Sequence, residues 1–370
     1  MPVGEGAMRV RTVMEVLYTS YMANLGETAI VARKAIKYGG IGLVVLMIGR
    51  IILTASINYY KMLNPAPPPP PDVLFGKIPK IVFPQAEAQT FNYKLETPTG
   101  GLPTKLPGQF KVFFMPIKKA SLLAYDAAQS VATRLDFILP AKKLSETDYR
   151  WDATDPLSAS LTINIITGAF TLDKRWQEDP SYTTPTIYYN DEQAKERVYS
   201  LLSRVELLPQ DIKEGTATVL PLKADKDQIV SAAALAQAHF LQVNLYRAPV
   251  DNVEVVNPSS KQGLITAIIA LQREDKRQFI NLKYNYFPVD LTRSAVYPLI
   301  GVAEAWARLQ AGQAFIAGVK QNTTNVTIND ITLRYYDPDT AQQFLQPVYE
   351  FTGSPDFVAY VPAVSDAWTE

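Results

Sequence analysis

The apolar run at residues 41–60 constrains this chain more than any other feature. It spans twenty residues and carries one charged side chain, Arg50. As a helix it would rise about 30 Å, which matches the hydrocarbon thickness of a bilayer. Prolines at 65 and 67–71 follow it, and proline cannot continue a helix because it lacks the N–H donor. The chain is therefore predicted to be a membrane anchor, a stiff polyproline II spacer and a folded body.

The charges around this run predict its orientation. Arg33, Lys34 and Lys37 precede it, whereas Lys61 alone follows it directly. Because positive residues are retained on the cytoplasmic side, the N-terminus is expected in the cytoplasm and the bulk of the chain outside it. The leading region is too long for a cleaved signal peptide, and the flanking charges argue against a buried core helix. We expect a cytoplasmic arm with an amphipathic helix (1–37), a transmembrane helix (38–61) and a spacer with an extended strap (62–84).

Small residues recur every seven positions along the predicted anchor. Gly42, Gly49 and Ser56 form this seam, and Arg50 borders it near the middle of the span. Small residues let transmembrane helices approach closely, and a mid-span arginine costs about 2.5–3.5 kcal/mol to insert. One hypothesis is that the seam packs on another transmembrane helix, which supplies an acidic or carbonyl partner for Arg50. The alternative is an arginine that local water makes tolerable.

Composition excludes several classes of protein. The chain has no cysteine, which rules out disulfides, thiolate metal sites and a cysteine nucleophile. The absence of disulfides fits a bacterial surface protein better than a eukaryotic secreted one. Of 36 basic and 36 acidic residues, seven and three precede residue 72, so 29 basic face 33 acidic residues after it. This mild acidity does not favour nucleic-acid binding. A hydrophobic content of 47% allows a packed core.

The part of the chain after the spacer predicts an α+β fold. A helix followed by three or four antiparallel strands appears three times, as modules at 85–185, 186–290 and 291–370, each burying its helix on one sheet face. Helices are predicted at 119–137, 191–207 and 302–311, with a further candidate at 228–238. Strands are predicted at 91–95, 110–115, 149–151, 158–165, 169–174, 216–222, 240–246, 264–271, 279–286, 314–319, 331–336, 347–351 and 357–361.

Residues 297–363 carry a pattern that resembles a known family. The pattern consists of Tyr297-Pro298-Leu299, Glu304-Ala305-Trp306, Leu309, Gly312, Val326, Ile331, Leu333, Tyr335-Tyr336, Leu345–Phe351, Gly353 and Phe357–Ala363. It is similar to the C-terminal module of YycH/YycI-type proteins and to PepSY-like domains of bacteria. The resemblance implies extracytoplasmic PepSY-like modules on one N-terminal transmembrane helix. It also implies regulation of a cell-wall-linked sensor kinase through membrane contacts.

Aromatic side chains in this segment suggest a layer between helix and sheet. Trp306 lies on the predicted helix, and Tyr336, Tyr349 and Tyr360 lie on predicted strands, together with Phe351 and Phe357. They are expected to be core residues. The functional alternative is a peptide-binding groove that some of them line.

Residues for catalysis are scarce. The one histidine, His239, lies at a predicted strand start and is expected to be structural. Asp337-Pro338-Asp339 lacks the calcium-loop pattern and is expected to be a turn. No phosphate loop or dinucleotide-binding turn is present, so no cofactor and no metal site are expected. A glycosidase that uses distant carboxylates is left open, although no enzyme is expected.

These features favour a non-enzymatic, membrane-anchored cell-envelope protein with a regulatory or sensory role. It is expected to sit in the cytoplasmic membrane and to contact another transmembrane protein and an envelope or peptide ligand, but no nucleic acid. The alternative is a structural or assembly subunit of a surface or secretion apparatus, and an envelope hydrolase ranks third.

Overall fold

The apolar run lies inside one long helix, α1 (Gly6–Leu63). Its 58 residues rise about 87 Å, so the predicted arm helix and the span are one continuous element. Within it, Thr28–Tyr60 is long and apolar enough to cross a membrane, and none of its most apolar window is buried against protein. It is the one such helix in the part of the chain that the structure describes. A single N-terminal membrane-helix candidate is therefore present.

The computed structural model describes residues 6–63, 70–85, 89–117, 121–154 and 157–370. The chain divides into two compact units, Met1–Pro70 and Pro71–Glu370. The predicted proline spacer falls mostly outside the described residues, as do the side chains of the arm up to residue 27.

The second unit is built from short helices and many strands. Its helices are α2 (Ala124–Arg134), α3 (Asp191–Arg204), α4 (Gln210–Lys213), α5 (Asp275–Gln278) and α6 (Val302–Gln310). Its strands are β1 (Asn92–Leu95), β2 (Gln109–Phe114), β3 (Lys142–Lys143), β4 (Asp148–Ala153), β5 (Ala159–Asn164), β6 (Phe170–Lys174), β7 (Ala217–Asp225), β8 (Gln228–Ser231), β9 (Phe240–Leu245), β10 (Val255–Val256), β11 (Ile265–Ala270), β12 (Phe279–Tyr284), β13 (Asp290–Pro298), β14 (Phe315–Gly318), β15 (Asn325–Tyr336), β16 (Phe344–Ser354) and β17 (Phe357–Pro362). This mixed composition confirms the α+β class, and each predicted strand overlaps an observed one.

One sheet has nine antiparallel strands in the order β3-β4-β5-β6-β12-β11-β9-β7-β8. Helices α2 and α3 pack on one of its faces. The row of side chains that faces them is apolar and buried, and it comprises Trp151, Leu161, Leu172, Leu282, Ala267 and Val243. Strand alternation therefore turns the neighbouring residues of each strand to the opposite face.

Helix α3 forms as its sequence predicts. The Asn190 side chain accepts a hydrogen bond from the Gln193 backbone at 2.8 Å, and the Gln193 side chain accepts from the Asn190 backbone at 3.0 Å. This capping box satisfies two backbone donors that the helix start would otherwise leave free. The helix buries one stripe of apolar residues at helical spacing, formed by Ala194, Val198, Leu201, Leu202 and Val205.

Helix α2 is shorter than the predicted 119–137. Leu122 and Leu123 lie before the helix starts and are exposed. Ala128, Ala132 and Leu135 are buried against the sheet. Small alanines at the interface let the helix approach the sheet closely.

The predicted helix at 228–238 is also wrong. Residues 228–231 form β8, which pairs with β7 across the Lys226-Asp227 turn, and a short 3-10 helix covers Leu235–Gln237. Lys226 takes the left-handed conformation, with φ 55°, that a two-residue hairpin turn requires. Pairing with β7 thus overrode the local helical pattern.

The other sheet has eight strands, with β1-β15-β16-β17-β14 as its main path. Strand β1 runs parallel to β15, while β2 pairs with both β13 and β16. Helix α6 covers one face and ends at Gln310, and Gly312, two residues later, takes the left-handed conformation, with φ 72°, that commonly follows a helix end. The segment 85–185 therefore contributes strands to both sheets, and the three module boundaries stay a prediction.

The strap at residues 72–84 is confirmed as an extended segment packed along the folded unit. Ile78 is fully buried and forms a parallel bridge with Thr369. Backbone hydrogen bonds join it to Trp368 at 2.9 Å and to Glu370 at 3.0 Å. Further along, Phe83 stacks on Phe315 at 5.0 Å. The strap is thereby fixed by partners nearly 300 residues away in the sequence.

Candidate ligand-binding cleft

The face of the nine-stranded sheet opposite α2 and α3 is polar over part of its width, beside a buried apolar cluster that includes Trp176 and Phe240. Two adjacent, largely polar rows of side chains cross it from strand to strand. One row comprises Asp152, Ser160, Asp173, Asn281, Ile268 and Gln242. The other comprises Lys142, Arg150, Thr162, Thr171, Lys283, Thr266 and Asn244. The strands thus present many hydrogen-bonding side chains on this side.

A cleft of about 610 Å³ lies on this polar face. Its floor is formed by Asp152, Ser160, Asp173 and Asn281 of the first row. Its rim includes Thr154, Ser158, Arg175 and Gln177. At its other end Ile229, Ile268 and Ile280 provide an apolar wall. The volume is within the range of small-molecule sites, and a mixed polar and apolar lining is typical of them.

The charge of Asp152 is neutralised within the cleft. Its carboxylate accepts hydrogen bonds from the Lys142 ammonium at 2.8 Å and the Arg150 guanidinium at 2.8 Å. These bonds, the one from Lys142 first, hold the pKa of Asp152 below its ordinary value. Asp152 therefore stays ionised and fixes the two basic side chains in place.

Asp173, two strands away, has a different environment. It accepts a hydrogen bond from the Asn281 amide, and it forms no ion pair with any described residue. The cleft therefore offers one carboxylate that forms no ion pair with a described residue, beside an apolar wall. Such a pair of surfaces can bind a ligand that carries a hydrogen-bond donor close to an aliphatic group.

Asp152 is unsuited to act as a general acid in the cleft. Asp152 and Asp173 lie two strands apart, about 10 Å, so their spacing alone does not exclude an inverting glycosidase. A general acid needs a raised pKa, however, and that of Asp152 is lowered. Among the described carboxyl groups with a resolved shift, burial raises the pKa of Asp337 alone, against the opposing effect of Arg247. Asp337 is fully buried and cannot reach a substrate.

The other residues considered for chemistry have structural contacts. The Nδ1 atom of His239 accepts a hydrogen bond from the Ala224 backbone at 3.1 Å, which ties β9 to the β7–β8 hairpin. Asp337 bonds the Arg247 guanidinium at 2.7 Å. Among the described residues, no group of three or more His, Asp or Glu side chains could hold a metal ion.

The predicted anchor seam lies on α1 and is exposed. An added Cβ at Gly42 or Gly49 would meet nothing within 4 Å. Arg50 is exposed too, and its carbonyl accepts a hydrogen bond from the Thr54 hydroxyl at 2.7 Å. The described residues of this chain thus leave the space beside Gly42, Gly49 and Ser56 open.

The predicted aromatic layer is divided between two faces of the eight-stranded sheet. Trp306 and Tyr349 belong to the cluster beneath α6, as do Phe351 and Phe357. Tyr336 and Tyr360 lie on the other face, where Phe83 of the strap packs on Tyr336 at 4.8 Å. The prediction that both lie beside the helix was wrong. Tyr360 pairs with Glu350, so its side chain lies on the other face of the sheet from that of Tyr349. The three tyrosines are at most 2% exposed, so they are core residues and line no open groove.

The sequence analysis missed the cleft. Its floor joins β4, β5, β6 and β12, and the last of these follows the others by about a hundred residues. The alternation Ser160-Leu161-Thr162 signalled a polar outer face on one strand. Nothing in the chain showed which other strands would continue that face.

Comparisons with known proteins add two distant structural likenesses. No protein-family model matches the chain, and no curated protein matches it. An uncharacterized protein from Eubacterium rectale is 10% identical, with a TM-score of 0.32 over 71% of this chain and 84% of that one. The Bacillus megaterium YpeB C-terminal domain is 13% identical, with a TM-score of 0.31 over 67% of this chain and 95% of that one. TM-scores this low carry no argument, so the YycH/YycI-type and PepSY-like resemblance stays a prediction.

Proposed function

We propose that this chain is a single-pass, membrane-anchored, non-enzymatic binding protein of the bacterial cell envelope. In this proposal α1 spans the cytoplasmic membrane with its N-terminus inside, and the unit Pro71–Glu370 lies outside. The proposal rests on the most apolar stretch of Thr28–Tyr60, none of which is buried among the described residues. About twenty apolar residues that the fold leaves uncovered require a lipid or protein environment.

The cleft supports a binding role for the outer unit. It combines the carboxylate of Asp173, which forms no ion pair with a described residue, with an apolar wall, and its other aspartate is held ionised. A regulatory or sensory role follows if a ligand there is detected by the membrane partner. The assembly-subunit alternative has no specific observation in its favour.

Topology can be tested directly because the natural chain has no cysteine. Single variants Ala29→Cys and Glu146→Cys are expressed in bacteria and treated, in spheroplasts, with a membrane-impermeant maleimide. We expect Glu146→Cys to react in intact spheroplasts and Ala29→Cys to react only after lysis. The reverse pattern, or recovery of the chain in the soluble fraction, would contradict the proposal.

The membrane partner can be tested by crosslinking in native membranes followed by mass spectrometry. We expect Arg50→Leu to lose crosslinks to at least one integral membrane protein, because a mid-span arginine requires a polar partner. Ile51→Leu, one residue away on the same helix, is the matched control and should retain them. Identical partners for wild type and Arg50→Leu would show that Arg50 makes no such contact.

A separate experiment tests the proposal that the protein is not an enzyme. The purified full chain is incubated with peptidoglycan and with casein, and soluble products are measured. We expect none above a heat-denatured control. Products that disappear in an Asp173→Asn variant would identify an envelope hydrolase instead.

A further inference from the structure

A second cavity, of about 280 Å³, lies where the two sheets meet. The end of β12, the loop 257–263, strand β14 and the end of the strap enclose it. Its lining includes Asn257, Leu264, Lys283, Asn285, Phe315 and Asp339. It opens on the same sheet face as the cleft, and Lys283 follows Asn281 of the cleft by two residues. The two sites are therefore neighbours, about 7 Å apart along one strand.

The loop that walls the second cavity is fixed on both sides. Toward the nine-stranded sheet, Gly263 lies so close to β9 that an added Cβ would overlap the Leu245 carbonyl oxygen. Toward the eight-stranded sheet, a Cβ on Gly318 would lie 2.6 Å from the Ser260 hydroxyl. The Gln242 side chain also donates to the Lys261 carbonyl at 3.3 Å. A wall held in this way keeps its shape when a ligand binds.

Asn257 is the informative residue in this wall. The residue is 7% exposed, and its side-chain amide forms no hydrogen bond with any described residue. Its exposed surface faces the cavity that it lines. The amide is therefore available to form a hydrogen bond with a ligand in the cavity.

Two charges of opposite sign border the same cavity. Lys283 and Asp339 are half-buried, and neither forms an ion pair with a described residue. Phe315, Ile316 and Leu264 provide an apolar wall. A single cation beside a carboxylate disfavours a phosphate, and a single carboxylate does not make a divalent metal site.

We infer that the second cavity binds a small zwitterion, a free aliphatic amino acid. Its carboxylate pairs with Lys283, its ammonium group pairs with Asp339, and the Asn257 amide bonds one of the two. The aliphatic side chain packs on Phe315. The volume suits a molecule of this size and is small for a longer peptide. This site is separate from the cleft and does not depend on the proposed membrane topology.

The test uses the purified full chain in detergent micelles and isothermal titration calorimetry. The probes are glycine, L-alanine, L-valine and L-leucine, with L-leucine methyl ester and N-acetyl-L-leucine as analogues that each lack one charge. We expect saturable binding of L-leucine and at least about tenfold weaker binding of both analogues, because each leaves one protein charge unpaired. Absence of binding by all four amino acids overturns the inference, as does equal binding of the analogues.

Variants then test whether Lys283 and Asp339 are the residues that pair with the charges of the ligand. Lys283→Met and Asp339→Asn should each weaken L-leucine binding at least about tenfold. Lys261→Met is the matched control, since its side chain is exposed on the same loop and does not line the cavity. If Lys261→Met weakens binding as much as Lys283→Met, the site lies elsewhere and the inference is wrong.

Discussion

At the scale of single residues, Arg247 links the two sheets. It follows β9, its side chain is 2% exposed, and its guanidinium bonds Asp337, which follows β15, at 2.7 Å. It also pairs with Asp211, donates to the Phe287 carbonyl at 2.6 Å and lies 4.8 Å from the Tyr286 ring centroid. Each of its three nitrogens thus donates a hydrogen bond inside the protein, which is what makes a buried guanidinium tolerable.

Replacing this arginine should be costly. We expect Arg247→Met to lower the free energy of unfolding by about 3–5 kcal/mol, because Asp337 would remain buried without its cation. Urea unfolding of the full chain in detergent, followed by circular dichroism, measures the change.

Two controls separate this loss from a general effect of removing arginine. The double variant Arg247→Met/Asp337→Leu should recover part of the stability, because no unpaired charge is left buried. Arg308→Met removes an arginine whose partners Glu304 and Asp366 are largely exposed, and it should cost no more than about 1 kcal/mol. A loss at Arg308 as large as that at Arg247 would contradict the argument.

Contacts between residues could be predicted only where the two partners are close in the sequence. Asn190 and Gln193 are three residues apart, so the cap of α3 could be predicted from its sequence. Arg247 and Asp337 are 90 residues apart. The Asp337-Pro338-Asp339 segment was expected to be a turn, and no local pattern indicates that Asp337 is buried in an ion pair.

At the scale of elements, the strap packs on the eight-stranded sheet without joining it as a strand. Prolines 79 and 84 keep it from forming a regular strand, yet Ile78 pairs with Thr369 and the Pro79 carbonyl accepts from Gln346 at 2.8 Å. The extended form of the strap could be predicted, because the prolines that prevent regular structure and the apolar residues that pack lie within its own sequence. Its partners could not be predicted, since they lie at the far end of the sequence.

The buried residue of the strap gives a test at this scale. We expect Ile78→Ala to lower the free energy of unfolding by about 2–5 kcal/mol, because it opens a cavity between the strap and the core residues Tyr297 and Val364. Val82→Ala, on the same strap, is the control, since Val82 is 63% exposed and should change stability by less than about 0.5 kcal/mol. Chemical unfolding of both variants makes the comparison, and equal effects would show that the strap is not held by burial.

Aromatic positions show the limit of sequence patterns for strands. A strand pattern assigns alternate residues to opposite faces, but it leaves open which face of one strand matches which face of the next. Tyr349 and Tyr360 each fit a buried position. Only the pairing of Tyr360 with Glu350 shows that the two side chains lie on opposite faces of the sheet. The buried character of these tyrosines was therefore predicted correctly, whereas the single layer was not.

At the scale of the whole molecule, the two sheets share contacts at Arg247 and along the loop 257–263. The unit Pro71–Glu370 is compact as a whole, although three modules were expected from the order of its elements. Element order could be predicted from local periodicity. The pairing of β1 with β15 and of β2 with β13 could not, because it joins segments separated by about two hundred residues.

This organisation predicts that both sheets unfold together. Trp151 and Trp176 report on the nine-stranded sheet, and Trp306 and Trp368 pack with the eight-stranded one. We expect the double variants Trp151→Phe/Trp176→Phe and Trp306→Phe/Trp368→Phe to show urea transitions by fluorescence that coincide with their own circular dichroism transitions. A fluorescence midpoint that departs from the circular dichroism midpoint in either variant would indicate separate modules.

The strap also sets an order of events during synthesis. Ile78 leaves the ribosome 291 residues before its partner Thr369, as the difference between 369 and 78 shows. Until that partner follows, the groove that holds the strap is incomplete, and the strap carries an apolar side chain with nowhere to bury it. Chains interrupted before residue 369 would therefore keep this segment accessible to chaperones and proteases, whereas a finished chain closes over it.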